Sequence, residues 1–267
     1  MVPLQHITSL HNAQVKNLIL LTTKARERRK QNLFVIEGER EISRARECGF
    51  RFESCFYNPE ILTSGSRKLI ESLDGEVRML EVSTPVYRKI AYRENVDGII
   101  VTAIMRDAKL HDLQLREKPL ILVLETVEKP GNLGAILRTS DAAGLDAVII
   151  CNPQTDVYNP NVIRSSLGCL FSNHIVTCDS KDAILFLKNY GIRIFAAALQ
   201  NSMPYHHEDF TLPSAIVMGS EADGLTEIWR KEADRIVRIP MSGIADSLNV
   251  SVSAAILVFE AVRQRNL

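Results

Sequence analysis

The sequence has no stretch approaching the roughly 20 uncharged apolar residues that a bilayer-spanning helix needs, so no membrane partner is expected. Its start, MVPLQHITSLHNAQ, shows no basic segment followed by a long apolar run. A secretory leader is therefore not expected, and the location implied is cytoplasmic. Cysteine is scarce: five residues, Cys48, Cys55, Cys151, Cys169 and Cys178, with no CxxC pair. An odd number without paired spacing argues against a disulfide framework or a zinc site and leaves them as small buried hydrophobes. The pair His206–His207 stands alone in MPYHHED, so no metal is expected. Neither charge is in excess, with Lys plus Arg and Asp plus Glu both at 32. No internal repeat or low-complexity tract is visible. No GxGxxG turn follows the first strand of the C-terminal half, which sets aside a nucleotide-dependent dehydrogenase.

What is present is an ordinary globular composition, 46% hydrophobic and 24% charged, over 267 residues. That length suggests two compact units. The charge is unevenly placed. Lys16, Lys24, Arg26, Arg28, Arg29 and Lys30 crowd one segment against Glu27 alone. Such a cluster can bind phosphates by counterion release, although a solvated helix face is the plainer reading.

Short β-branched runs alternate with amphipathic stretches, the α/β pattern. Residues 1–104 read as a small α/β unit. It has a long helix over Asn12–Gln31, strands at Leu33–Gly38, Phe52–Tyr57, Val77–Val82 and Gly98–Ala103, and helices between. Residues 105–119, without an apolar run and ending at Pro119, read as a linker. Residues 120–267 carry near-continuous apolar strands at Leu120–Leu124, Ala147–Cys151, His174–Thr177, Arg193–Ala197, Ser214–Met218 and Arg235–Ile239. Such strands joined by helices imply a parallel, Rossmann-like sheet covered on both faces. A final helix is expected over Ser247–Arg265, apolar all round from Val250 to Val262 and hence buried in the core or against another subunit.

Ligands in open parallel sheets bind beyond the carboxyl ends of the strands, and three such ends carry unusual polar residues. In ETVEKPGNLGAILRTSDAAG, from Glu125, Asn132 can cap the following helix and Arg138 lies further along it. In AIVMGSEADGLT, from Ala215, Gly219 and Gly224 bracket a tight loop holding Glu221. Glycine there permits close backbone approach to a ligand, or simply satisfies a turn. In IPMSGIADSLNVSVSAAI, from Ile239, Ser247 and Asn249 stand at the start of the last helix. Each loop alone also has a bland structural explanation.

Together and in this order, PGNLGAILRTSDAAG, MGSEADGL and IPMSGIADSLNVSVSAAI with a closing RQR closely resemble the three motifs of the SpoU (TrmH-like) RNA ribose methyltransferases, members of the knotted SPOUT superfamily. YNPNVIRSSLGCLF, from Tyr158, resembles the segment between the first two motifs, and FVIEGEREISRA, from Phe34, is similar to a small RNA-binding domain found ahead of the catalytic one. The resemblance implies a deep trefoil knot in the C-terminal domain, S-adenosylmethionine as cofactor, a homodimer packed through the last helix, and RNA as substrate, rRNA ahead of tRNA. It places Leu199, Gly219, Ile239, Met241 and Leu248 at the cofactor. It assigns catalysis and substrate contact to Asn132, Arg138, Glu221, Ser247 and Asn249. On that footing Arg138 would hold the 2′-hydroxyl and an adjacent phosphate, oriented by Asn132 and Glu221. Competing readings are methylation of a base nitrogen and a non-catalytic RNA-binding or ribosome-assembly factor.

Overall fold

The computed structural model describes residues 5–73, 75–94 and 96–266. The chain divides into two compact units, residues 1–106 with 156–172, and residues 107–155 with 173–267. Among the described residues no helix is long and apolar enough to cross a membrane.

The first unit runs β1 (Gln5–Ile7), α1 (Ala13–Thr23), α2 (Ala25–Gln31), β2 (Leu33–Glu37), α3 (Glu39–Glu47), β3 (Phe52–Tyr57), α4 (Ser64–Leu73), β4 (Arg78–Val82), α5 (Thr84–Ile90) and β5 (Ile99–Ile104). The strands form one mixed sheet in the order β1-β4-β3-β5-β2. One face buries Val15, Leu18 and Leu21 of α1 and Val86, Tyr87 and Ile90 of α5 against Val35, Phe56 and Ile100. Strand β1 has three residues, too few for an alternation to be seen in the sequence.

Where the pattern predicts one helix over Asn12–Gln31, the structure has two, separated at Lys24 (φ −122°, ψ 108°). Thr22 and Thr23 bond back to the carbonyls of Leu18 and Ile19, a local competition that bends helices. Arg28 then turns inward, donating from Nη1 to the carbonyls of Leu21 at 2.6 Å and Thr22 at 3.2 Å. It thereby supplies the donors that the end of α1 lacks.

The second unit runs β6 (Leu120–Glu125), α6 (Pro130–Ala143), β7 (Ala147–Cys151), α7 (Pro160–Ser165, which belongs to the first unit), β8 (Ile175–Cys178), α8 (Ser180–Asn189), β9 (Arg193–Ala197), β10 (Met203–Pro204), β11 (Ser214–Met218), α9 (Glu227–Glu232), β12 (Arg235–Arg238) and α10 (Val250–Arg265). Its seven strands lie in the order β10-β12-β9-β11-β6-β7-β8, and every pair is parallel. The expected parallel sheet is thus present. Trp229 is fully buried and donates Nε1–H to Ser180 Oγ at 3.1 Å, a packing role with its polar atom satisfied.

Two boundaries differ from the sequence pattern. The stretch read as a linker is packed chain: from Asp107 it joins the second unit, and Leu110, Leu113 and Leu115 rest on that unit's core. Residues 156–172 leave the C-terminal half and complete the first unit. Phe34 of β2 meets Tyr158 and Phe171 at ring-centroid distances of 4.3 and 6.2 Å, and Arg28 Nε pairs with Asp156 at 2.5 Å. The segment thereby packs against β2 through the Phe34 ring and is anchored to α2 through Arg28.

Candidate active site

The loops that matter follow the carboxyl ends of β12, β9, β11 and β6, which are consecutive neighbours in the sheet. Sequence elements more than a hundred residues apart are brought to one edge by that strand order alone.

Glu125, at the end of β6, is completely buried and was not singled out by the sequence. Its carboxylate accepts from Ser180 Oγ at 2.9 Å, from the Thr226 backbone N–H at 2.8 Å and from Thr226 Oγ1 at 2.7 Å. A buried carboxylate persists only with such donors, and here they fasten the loop after β11 to the end of β6. Nothing in the local pattern signals this role, because the donors come from residues 180 and 226.

That loop closes on itself. Ser220 and Gly224 exchange backbone hydrogen bonds of 3.1 and 3.2 Å, and Gly224 has φ +68°. A Cβ on Gly219 would lie 2.2 Å from the carbonyl carbon of Gly224. Glycine at 219 is therefore demanded by the loop's own closure, whatever else approaches it.

Closure presents Glu221 to two other loops. One carboxylate oxygen is paired with the Lys129 ammonium. The other accepts from Asn132 Nδ2 and, at 2.9 Å, from Asn249 Nδ2, which also reaches Asn132 Oδ1 at 3.2 Å. The hydrogen bond from Lys129, foremost, holds the Glu221 carboxyl below the usual carboxylate range, and it raises the ammonium of Lys129 in return. With its lone pairs engaged and its proton affinity lowered, Glu221 is built to hold a geometry, and it is a poor general base. Lys129, like Glu125, is not marked by the sequence; its one local signal is a cation immediately before Pro130.

Asn132 is not a helix cap. Helix α6 begins at Pro130 with Lys129 in the cap position, so Asn132 already lies in the first turn and spends its side chain on Glu221. Asn249 does both tasks: its Oδ1 caps α10 by accepting from Ser251 N–H at 3.0 Å, while its amide donates to the cluster. Arg138 stands apart. It is exposed and has no hydrogen-bond or ion-pair partner among the described residues, so Asn132 and Glu221 do not orient it in this structure. Six residues along a helix separate it from Asn132 by about 9 Å of rise.

Beside the cluster lies a cavity of about 570 Å³. Leu199, Gly219, Ile239, Met241 and Leu248 all line it, as do Glu221, Ser247 and Asn249. Asn132 and Arg138 do not. Its wall carries Glu221, Asp223 and Asp246 against Arg230 and Arg238. Arg230 donates from Nη1 to Gln200 at 3.2 Å, while its buried Nε has no partner.

With this geometry in view, similarity to known proteins has a clear meaning. Residues 119–259 match the SpoU rRNA methylase family. The chain belongs to that family. Residues 12–101 match the MRM3-like substrate binding domain. A 23S rRNA (guanosine(2553)-2′-O)-methyltransferase of Bacillus subtilis strain 168 is 31% identical over 256 residues, covering 96% of this chain and 98% of the relative. A solved RNA 2′-O ribose methyltransferase is 38% identical with a TM-score of 0.86, covering 98% of this chain and all of that one. An AdoMet-bound rRNA methyltransferase from Sinorhizobium meliloti has a TM-score of 0.89 at 30% identity, covering 97% and 98%. In this SpoU family chain the motif loops are therefore seen as a Glu221-centred clasp beside a cavity.

Proposed function

We propose that this protein transfers a methyl group from S-adenosylmethionine to a ribose 2′-hydroxyl of large-subunit ribosomal RNA. One observation carries the reading: Lys129, Asn132 and Asn249, from two loops, converge on Glu221 of a third at the wall of a single cavity. The substrate class follows the Bacillus subtilis relative, which is by name a 23S rRNA guanosine 2′-O-methyltransferase.

The residues present fit the cofactor. The cavity volume lies within the roughly 300–1,000 Å³ of small-molecule sites. Asp223 and Asp246 suit a ligand bearing sulfonium and ammonium charges, and the unpartnered Nε of Arg230 is a donor suited to an anionic or hydroxyl acceptor. Leu199, Gly219, Ile239, Met241 and Leu248 would hold it. When bound, the cofactor supplies an activated methyl group.

The remaining work is positioning, which can contribute about 7–11 kcal/mol. The clasp fixes the three loops relative to one another. Ser247 and Asn249 present polar groups on the cavity side. Arg138 extends a guanidinium, a pure donor, to grip a phosphate and to stabilise the negative charge growing on the ribose oxygen as the 2′-hydroxyl proton passes to solvent. Neither Asp nor His needs to serve as a strong base in this scheme.

We also assign the C-terminal segment to a trefoil knot and the assembly to a homodimer. Membership of the SpoU family, over residues 119–259, supports the knot. Helix α10 is not buried all round. Ala254, Leu257, Val258 and Ala261 face inward, while Val252 and Phe259 are 47% and 45% exposed. Those two open apolar residues are the seat for a second copy.

The function is tested by methyl incorporation from labelled S-adenosylmethionine into unmodified rRNA and tRNA pools, each digested to nucleosides. A labelled 2′-O-methylnucleoside from rRNA is expected. Label in tRNA alone would reassign the substrate, and label on a base or in neither pool would overturn the chemistry.

Lys129→Met is expected to slow transfer only about two- to five-fold, since an exposed ion pair is weak. It should nevertheless move the acid limb of the rate profile to higher pH. The carboxyl of Glu221 is held low chiefly by Lys129, so the ionised clasp persists to lower pH when the lysine is present. Lys129→Arg should restore the wild-type limb. An unchanged limb in Lys129→Met would show that ionised Glu221 is not needed for turnover.

A further inference from the structure

The basic run near the N-terminus is not accounted for by the site in the second unit. Folding sorts it. Arg28 is withdrawn, 2% exposed and committed to Asp156. The other five, Lys16, Lys24, Arg26, Arg29 and Lys30, are all exposed and none has an ion-pair partner among the described residues. The break at Lys24 folds α2 back along α1: Asn17 and Gln31 exchange side-chain hydrogen bonds of 3.0 and 2.9 Å.

Helix α5 extends the same surface. It packs in the same core cluster as α1, on the same face of the sheet, and its exposed Arg88 and Lys89 likewise have no ion-pair partner among the described residues. Across α1, α2 and α5, Glu27 is the lone carboxylate, and it is only partly exposed. The helices α3 and α4 are different. There Glu39, Glu47 and Glu71 are interspersed with the basic residues, and Arg44, Arg46 and Arg67 are already bonded within the unit. A mixed, internally bonded face is a solvated surface. A face of seven unpaired cations drawn from separate parts of the chain repels itself unless an anion covers it.

We infer that the α1/α2/α5 face of the first unit is the surface that grips the RNA phosphate backbone, and that the α3/α4 face is not. This rests on the proposed RNA methyl transfer and adds where the substrate is held. Phosphate contacts position a nucleic acid without reading its sequence. The face therefore sets affinity and leaves the choice of nucleotide to the cavity side.

The test uses the full-length protein and an in vitro transcribed 23S rRNA. Affinity is measured by filter binding between 50 and 200 mM salt for wild type, for Lys24→Glu/Arg26→Glu/Lys30→Glu, and for a control, Arg67→Glu/Lys68→Glu. Each phosphate that the protein ceases to neutralise lowers the slope of log affinity against log salt by roughly 0.7–0.9, so the triple variant should flatten it by about two units. The control should leave the slope unchanged. Methyl transfer by the triple variant should show a raised KM for RNA with kcat preserved at saturation, which also reports an intact fold. An unchanged slope in the triple variant, or an equal flattening in the control, overturns the assignment. So does an unchanged RNA slope accompanied by abolished binding to anionic vesicles, which would give the face to a membrane surface. Wild-type protein that grips the transcript but transfers no methyl group would overturn the functional reading and leave this surface standing.

Discussion

Arg138→Ala is expected to lower methyl transfer by roughly 10²- to 10³-fold, the usual cost of removing a donor aimed at developing negative charge. Cofactor affinity should hardly change, because Arg138 does not line the cavity. The split is the informative part. A variant in Glu221, which belongs both to the cavity wall and to the clasp, should disturb the two quantities together. Arg138→Lys should recover only part of the rate, since an ammonium cannot reproduce a bidentate grip on phosphate. Single-turnover transfer and equilibrium cofactor binding on the same preparations make the comparison. Near wild-type transfer by Arg138→Ala would remove this residue from the mechanism and leave Lys129 as the cation nearest the clasp.

Arg28→Met is expected to destabilise the first unit by about 3–5 kcal/mol, the range found when one member of a buried ion pair is removed. The Asp156 side chain is 8% exposed, and without Arg28 its remaining donor among the described residues is the Tyr158 backbone N–H at 3.1 Å. The carbonyls of Leu21 and Thr22 lose their partner in the same step. Replacing both members, Arg28→Met with Asp156→Leu, should recover most of the loss, because the penalty lies in the stranded charge more than in the absent attraction. Urea unfolding measures the stability. Limited proteolysis within 156–172 gives a local readout, as that segment rests on β2 through Tyr158 and Phe171 and is anchored by Asp156. A cost below about 1 kcal/mol for Arg28→Met would mean that the pair does not hold the segment.

These two residues show where reading along the chain succeeds and where it stops. Arg138 is legible because it sits in an ordered set of loop motifs, and chemistry at strand ends leaves a local imprint. Arg28 looks like one more cation in a basic run. Its burial depends on an aspartate 128 positions away, which no local pattern contains. Lys129 and Glu125 were overlooked for a similar reason: their partners, Glu221, Ser180 and Thr226, lie on other strands' loops. Helix α10 is legible only in part: its apolar run implies burial in the core or against another subunit, and within one chain Ala254, Leu257, Val258 and Ala261 are buried while Val252 and Phe259 stay open.

The sequence by itself determined the alternation of strands and helices, the parallel character of the second sheet, and the polar residue types offered at each strand end. These are local properties, set by side-chain period, turn chemistry and apolar run length. Only the tertiary structure decided that residues 156–172 complete the first unit, that Gly219 serves loop closure, and that Glu221 is a hub whose donors come from two other loops. The physical reason is the strand order β12-β9-β11-β6. It fixes which loop ends become neighbours, and a carboxylate's role is set by the donors that reach it in space.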